Sequence, residues 1–336
     1  LAVAVPPFRM PLRPLLVLLP LLLALGPADP PDLDALRGRV RADGSSTVYP
    51  ITEAVAEEFA RVARRVRVTV GVSGTGGGFK RFCTGLTDVS NASRPITATE
   101  VKICHDHGVE FIELPVAYDG LCVVVNPAND WVKQLNVDQI RRIYGSKDTA
   151  RTWRELDPAW PDRPIRVYSP GTDSGTFDYF REVVVGSKGT TRSDMSVSED
   201  DNILVTGVAG DRDAIGFFGF AYFVENRDKV KAVPIDGGAG PVIPSDQTII
   251  DGTYVPFSRP LLVYVNRRSA ERADVRAFMD FYLQECPVLV PDVDYTNLPD
   301  EIMERVRANW RSRRTGTQFL TPGGDKARGT LLEVYR

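Results

Sequence analysis

Ser73-Gly74-Thr75 and Ser174-Gly175-Thr176 place the same small, hydroxyl-bearing tripeptide at two distant points of the chain, each between an apolar run and an amphipathic one. The first is led by Val66, Val68, Val70 and Val72 and continues as Gly76-Gly77-Gly78; the second is led by Ile165-Arg166-Val167-Tyr168. A strand that feeds a glycine-bearing turn and then a helix leaves unpaired backbone N–H groups aimed at one spot, and anions bind there. A third cluster, Ser45-Ser46-Thr47, lies just before Pro50, a residue favoured in a helix's first turn. The chemistry these residues share is donation of hydrogen bonds to oxygen. Three such turns facing one another would replace the water shell of one small oxyanion.

Charged groups near the turns fit the same chemistry. Arg94, in Ser93-Arg94-Pro95, ends a predicted strand, the place where α/β sheets present their ligands. Its planar fork can grip two oxygens of a tetrahedral anion, or it can serve a surface salt bridge. Asp173 can accept the proton of a monohydrogen oxyanion, or cap the following helix, worth about 1 kcal/mol. Other chemistries find less support. Residues 73–78 lack the Gly-Lys-Ser/Thr ending of a nucleotide P-loop, and Lys80 lies beyond the last glycine. Cys104-His105-Asp106-His107 has the composition of a metal cluster, but two histidines one residue apart diverge on a helix, and oxidation of Cys104 would remove its thiolate. No metal or cofactor is therefore expected. Gly-x-Ser-x-Gly is absent, and the 2 histidines, His105 and His107, leave a serine hydrolase little to work with.

A chain of 336 residues, 43% hydrophobic and 25% charged, is long enough for two domains and ordinary for a soluble globular protein. Its net charge of −3 and pI near 5.6 imply no broad basic surface and no nucleic-acid partner. An anion would have to be held by local dipoles and one or two cations. Arg9 and Arg13 precede an apolar run over residues 15–25, broken by Pro20 and followed by Gly26-Pro27-Ala28-Asp29. Residues 1–30 therefore read as a secretory signal peptide, a run shorter than a membrane anchor needs, and the protein is expected to be exported, periplasmic or at the cell surface. An exported chain can oxidise its cysteines, Cys83, Cys104, Cys122 and Cys286. Cys83 and Cys104 flank one helix-strand-helix unit and are the first candidate for a disulfide; Cys122 is a bridge partner or a buried thiol.

The elements that must position the turns alternate between strands and helices, which argues for α/β layers with helices on both sheet faces. Residues 40–47 open with a short strand, residues 52–64 place Val55, Phe59 and Val62 at helical spacing, and residues 65–72 alternate as a strand. A helix to about Cys83 and a short strand over 88–95 follow, and Thr97-Ala98-Thr99-Glu100 is a capping-box sequence opening a helix to about His107. Residues 111–126 exceed one ordinary strand and read as a strand pair or an extended crossing between domains, with residues 254–266 as the return. One domain is then built from two distant pieces. Between the crossings come helices over 137–144, from the second Ser-Gly-Thr turn to about Val185, and over 199–208. A strand or strand-turn is expected over 214–223, a strand over 231–235, and loops over 153–160, 188–196 and 237–252. Helices over 273–284 and 301–310 follow, and the tail from Arg311 is expected to be loose at its end.

In this order, Gly44-Ser45-Ser46-Thr47 with Tyr49-Pro50, residues 73–80, residues 88–95, Ile143-Tyr144-Gly145 with Trp153, residues 173–176 and residues 254–266 resemble the periplasmic phosphate-binding proteins of bacterial phosphate ABC transporters (PstS type). The resemblance implies a two-lobed periplasmic-binding-protein type II fold, each lobe a mixed sheet flanked by helices and the two joined by a two-segment hinge. Residues 31–119 and 258–336 would form lobe 1, and residues 120–257 lobe 2. By the same resemblance Ser46, Thr47, Ser73, Thr75, Gly76, Arg94, Asp173, Ser174, Gly175 and Thr176 close on dehydrated inorganic phosphate. One departure matters: the family's pattern has an aspartate where this chain has Arg94, and an arginine four residues before the serine, where this chain has Pro170. The expectation is that the two charges have exchanged sides of the cleft, with Asp173 as the acid. The implied function is non-catalytic capture of phosphate by a monomer that delivers it to a membrane ABC permease. Two alternatives stay open: another tetrahedral oxyanion such as sulfate or molybdate, and a secreted phosphate-ester hydrolase built on the same cradle.

Overall fold

The computed structural model describes residues 33–336 except 173, 187, 188 and 199, so the leader expected over residues 1–30 and Asp173 lie outside the described residues. β1 (Gly38–Gly44) buries Val40 and Ala42, and α1 (Tyr49–Val62) follows it with a proline in its first turn and Ile51, Val55 and Phe59 on its inner face. The helix begins before Thr52 because Pro50 is pre-set for a first turn. β2 (Val66–Val72), α2 (Gly74–Phe82) and β3 (Val89–Ala92) come next, and α3 (Ala98–Asp106) opens on the expected capping box between Thr97 and Glu100.

β4 (Phe111–Val125) is one strand of 15 residues, every one of them buried. After it the chain runs through β5 (Leu135–Asn136), α4 (Val137–Tyr144), β6 (Arg166–Pro170), α5 (Gly175–Val184), β7 (Ser196–Ser198), α6 (Asp201–Gly210) and β8 (Ala214–Gly219). It continues through α7 (Phe220–Glu225), β9 (Lys231–Ala232), β10 (Ile235–Asp236), β11 (Pro241–Val242) and α8 (Asp246–Ile250). β12 (Ser258–Asn266) is the return, and α9 (Ala273–Asp292), α10 (Asp300–Ser312) and α11 (Leu331–Val334) close the chain.

Among the described residues nine strands make one mixed sheet in the order β2-β1-β3-β12-β4-β8-β6-β7, with β9 also on β4, and β11-β10-β5 make a small second sheet. β1 pairs in parallel with β2 and β3, so all three strands end at one edge. β4 pairs antiparallel with β12 as far as Gly120, and from Leu121 onward with β8. Two extended segments therefore carry the chain between the two parts of the sheet, β4 buried throughout and β12 buried from Leu261 onward. Aromatic side chains fill both parts: Phe59 lies 5.4 Å from Phe278 in one, and Phe180 stacks 3.7 Å from Phe217 in the other.

Several local expectations are corrected. Residues 214–223 split into β8 and α7, and residues 231–235 split into β9 and β10 around Pro234, which has no N–H to give a ladder. Residues 237–252 hold β11 and α8, the latter capped by Ser245 and Thr248, and residues 153–160 and 188–196 hold a 3₁₀ turn at Trp153–Glu155 and the start of β7. α9 runs past Gln284 to Asp292 with Pro287 and Pro291 inside it, because Cys286 and Val290 are fully buried and tertiary packing outweighs the proline cost. The tail is not loose at its end. Tyr335 is fully buried and donates its hydroxyl to the Glu113 carbonyl at 2.8 Å. Among the described residues no helix is long and apolar enough to cross a membrane.

Candidate functional site

The first two hydroxyl turns are fixed by the sheet edge. Gly44 ends β1 with φ +141°, and a Cβ there would sit 2.1 Å from the Asn91 carbonyl oxygen, so only glycine lets β1 and β3 approach and turn. Ser45 then donates its backbone N–H to that carbonyl at 2.9 Å, and Ser73 donates its own to the Gly44 carbonyl at 3.1 Å. The N-termini of α1 and α2 are thereby set side by side at the carboxyl ends of parallel strands, where open α/β sheets bind ligands. The third turn leaves β6, and Ser174 caps α5 by accepting the Phe177 N–H at 3.4 Å.

These helix starts meet across a polar cavity of about 240 Å³. Ser46, Thr47, Thr75, Gly76 and Arg94 line it from one side, Asp178, Tyr179, Arg181 and Glu182 of α5 from the other, and Arg259 of β12 from behind. Ser73 does not line it; its side chain is exposed and makes no cap bond to α2. Ser174, Gly175 and Thr176 line a neighbouring cavity of about 440 Å³, which shares Ser46 with the first. The boundary between the two cavities is a contact between the turn before α1 and α5: Thr47 Oγ1 donates to the Gly175 carbonyl at 3.4 Å, and Ser46 Oγ to Asp178 Oδ2 at 3.2 Å. Thr75 Oγ1 and Ser93 Oγ are 3.0 Å apart.

Of the cavity's arginines, Arg94 and Arg259 are each held by a buried or part-buried carboxylate. Arg94 is bidentate to Glu100, at 2.9 and 2.8 Å, and its guanidinium carbon lies 5.6 Å from the Phe79 ring centre. Burial disfavours the Glu100 charge, but hydrogen bonds from Arg94 and Thr97 hold its carboxyl below the usual value. Arg259 places Nε at 3.2 Å and Nη2 at 3.1 Å from one oxygen of Asp119, and Nη2 also reaches Thr47 Oγ1 at 3.1 Å. Its guanidinium carbon stacks 3.5 Å over Tyr179. The Arg259 and Asp119 side chains are only 13% and 3% exposed, so this pair is desolvated where most surface pairs are not. Burial pushes the Asp119 carboxyl up, and Arg259 pulls it back.

Sequence reasoning did not assign Arg259, Asp119 or Asp178 to the site. A signal for the first two existed: each of the long apolar runs contains a charge that could not stand unpaired in a buried strand.

The arrangement is suited to binding an anion and poor in groups for catalysis. His105 and His107 are exposed at the end of α3, away from the cavity residues, and Ser46 is bonded to a carboxylate rather than an imidazole. Among the described residues no group of three His, Cys, Asp or Glu side chains could hold a metal. Cys83 and Cys104 are joined by a disulfide, S–S 2.05 Å, while Cys122 and Cys286 are free and buried. The disulfide ties α2, which carries Thr75, to α3, which carries Glu100, and Cys83 Sγ lies 3.4 Å from the Glu100 carbonyl oxygen.

Comparison with known proteins places this geometry in a family. A model of the PBP superfamily domain matches residues 30–285. The chain is 49% identical over 291 residues to Protein SphX of Synechococcus elongatus, covering 86% of each. It is 39% identical over 264 residues to the phosphate-binding protein PstS of Staphylococcus saprophyticus, covering 78% of this chain and 81% of that one. The crystal structure of a possible phosphate binding protein from Planctomyces limnophilus superposes with a TM-score of 0.81 at 42% identity, covering 83% of this chain and all of that one.

Proposed function

This chain belongs to the PBP superfamily, and on that premise we propose that it binds inorganic phosphate outside the cytoplasm and delivers it to the permease of an ABC transporter. The observation that carries the reading is the cavity between the starts of α1, α2 and α5, where hydroxyls, helix N-termini and three arginines converge. Helix N-termini favour negative charge through their free N–H groups and aligned dipoles. Relatives named as phosphate-binding proteins support the choice of anion.

In this reading residues 33–119 and 258–336 form one lobe, residues 120–257 the other, and β4 and β12 are the hinge through which the lobes close. The ligand set is Ser46, Thr47, Ser73, Thr75, Gly76 and Arg94 from the first lobe and Ser174, Gly175 and Thr176 from the second. Ser73 joins it through rotation of an exposed side chain. Asp173 completes the set as acceptor of the anion's proton. The protein acts as an exported monomer and turns over no substrate.

Calorimetric titration of residues 31–336 with inorganic phosphate, sulfate and molybdate tests this. Phosphate should bind at micromolar concentration or below, about −8 kcal/mol or better, and the other two at least tenfold more weakly. Equal binding of sulfate would move the assignment to a general oxyanion carrier. Release of p-nitrophenol from its phosphate ester would move it to a hydrolase, and no heat with any anion would remove the site.

A further inference from the structure

Arg259 occupies a place that no other charged residue of the cavity shares. It faces Asp119 in the register of β12 and β4, one residue before β4 exchanges β12 for β8 as its partner. The same guanidinium bonds Thr47 in the turn before α1 and lies over the ring of Tyr179 of α5, whose hydroxyl in turn donates to the Pro256 carbonyl at 2.8 Å, just ahead of β12. One side chain of β12 thus touches β4, the turn that opens α1, and α5.

Arg94 and Arg259 also differ in where their remaining donors sit. Arg94 commits both N–H groups of Nη1, to Glu100 and the Pro95 carbonyl, and one of Nη2, to Glu100, so its two remaining donors are split between Nε and Nη2. Arg259 commits Nε and Nη2 to Asp119 and Thr47, while both N–H groups of Nη1 make no hydrogen bond to any described residue, on a side chain that lines the cavity. A guanidinium fork can hold a carboxylate along one edge and an anion oxygen with the remaining nitrogen, which a point charge cannot do.

We propose that Arg259, braced by Asp119, is the principal cation for the bound anion, with Nη1 as the donor, and that Arg94 serves mainly to fix the turn before α3. The inference rests on the phosphate reading above and adds a ligand contributed by the hinge itself. Anion binding at Arg259 would then draw Thr47 and Tyr179, one from each side of the cavity, onto the same group.

The test titrates inorganic phosphate into the wild type, the charge-neutral pair variant Arg259→Gln/Asp119→Asn, and Arg259→Lys, with thermal unfolding of each. The pair variant removes both buried charges together, so no carboxylate is left stranded. It should unfold near the wild-type temperature and bind phosphate roughly 10- to 100-fold more weakly, the span expected for a hydrogen bond to a charged group. Affinity within threefold of wild type would overturn the assignment of Arg259. Should the pair variant fail to fold, Arg259→Lys decides: it keeps a cation beside Asp119, but a single ammonium committed there cannot extend a second nitrogen. It should bind about tenfold more weakly, and unchanged affinity would overturn the inference. A wild type that does not bind phosphate at all would instead refute the phosphate reading.

Discussion

Gly175 is the residue on which apposition of α1 and α5 depends most directly. An ideal Cβ at this position would lie 2.7 Å from Thr47 Cα, 3.1 Å from Thr47 N and 3.2 Å from Thr47 Oγ1. Two carbons settle at about 3.5–4.0 Å, so the helices would have to part by roughly 1 Å. The nearest atoms are backbone and cannot swing aside. Overpacking of this kind costs about 1–3 kcal/mol, and here it falls only on the state in which the helices touch. A state with α5 withdrawn gains instead, because alanine is favoured over glycine in a helix by about 0.5–1 kcal/mol. Gly175→Ala should therefore weaken phosphate binding by about 5- to 150-fold, with the unfolding temperature of the free protein unchanged or raised. Calorimetric titration and thermal unfolding on the same preparation give both quantities. A dissociation constant within twofold of wild type would show that closure does not pass through this contact. Parallel loss of affinity and stability would place the clash in the fold rather than in closure.

Glu113 predicts an unusual pH dependence. Burial drives its carboxyl from 4.5 up to about 7, against hydrogen bonds from Thr317, the Gln318 N–H and Tyr264. A folded pKa above the unfolded one means that this group's stabilisation is complete below pH 4.5 and is lost as pH rises through about 7. The loss is about 3 kcal/mol. Glu113→Gln, which resembles the protonated acid, should remove that slope, so wild-type and variant unfolding free energies followed from pH 4.5 to 8 should diverge; parallel curves would refute the assignment. Opening the Cys83–Cys104 disulfide, whose cysteines are 21 residues apart, should cost about 3 kcal/mol of stability. It should also weaken phosphate binding by freeing α2 from α3, and denaturant titration of the Cys83→Ser/Cys104→Ser variant measures the first effect. Finally, phosphate affinity should change by less than about threefold between 0.05 and 0.5 M NaCl, since buried partners are poorly screened. A steep salt slope would mean that the overall field, not the local donors, holds the anion.

What could be read from the sequence divides by the range of the physics. The capping box at Thr97 and Glu100 is decided within a few residues and appears where the sequence put it, whereas α1 starts at Tyr49 rather than Thr52 and residues 74–78, read as a turn, already belong to α2. Glu100 shows the limit: read as a cap, it also grips Arg94, six positions away, and a carboxylate that close to an arginine in a tight turn could have been recognised as its partner. Arg259 and Asp119 are 140 positions apart, and their pairing exists only because two long strands adopt one register. α9 was expected to stop before its prolines, a sound local rule overridden by burial of Cys286 and Val290. The tail's polar composition concealed two buried anchors, Leu331 and Tyr335, the second of them bonded to the distant backbone of β4.

The charges around the cavity explain why a protein with a net charge of −3 can be built to hold an anion. Arg94, Arg181 and Arg259 face the cavity or its wall, but Asp178 and Glu182 line it as well, and Glu100 and Asp119 pair with two of the arginines. Three guanidinium groups against four carboxylates leave the surroundings formally negative. No attraction at long range can then account for binding. What remains is direction: N–H groups at helix starts, hydroxyls that can rotate toward oxygen, and guanidinium edges fixed in place by their own carboxylates. Such donors are strong only for an anion small enough to meet several at once and only when the helices bearing them come together. Selectivity and closure are in that case two consequences of one geometry, with the carboxylates serving to orient the arginines and to repel anions that cannot satisfy the full set.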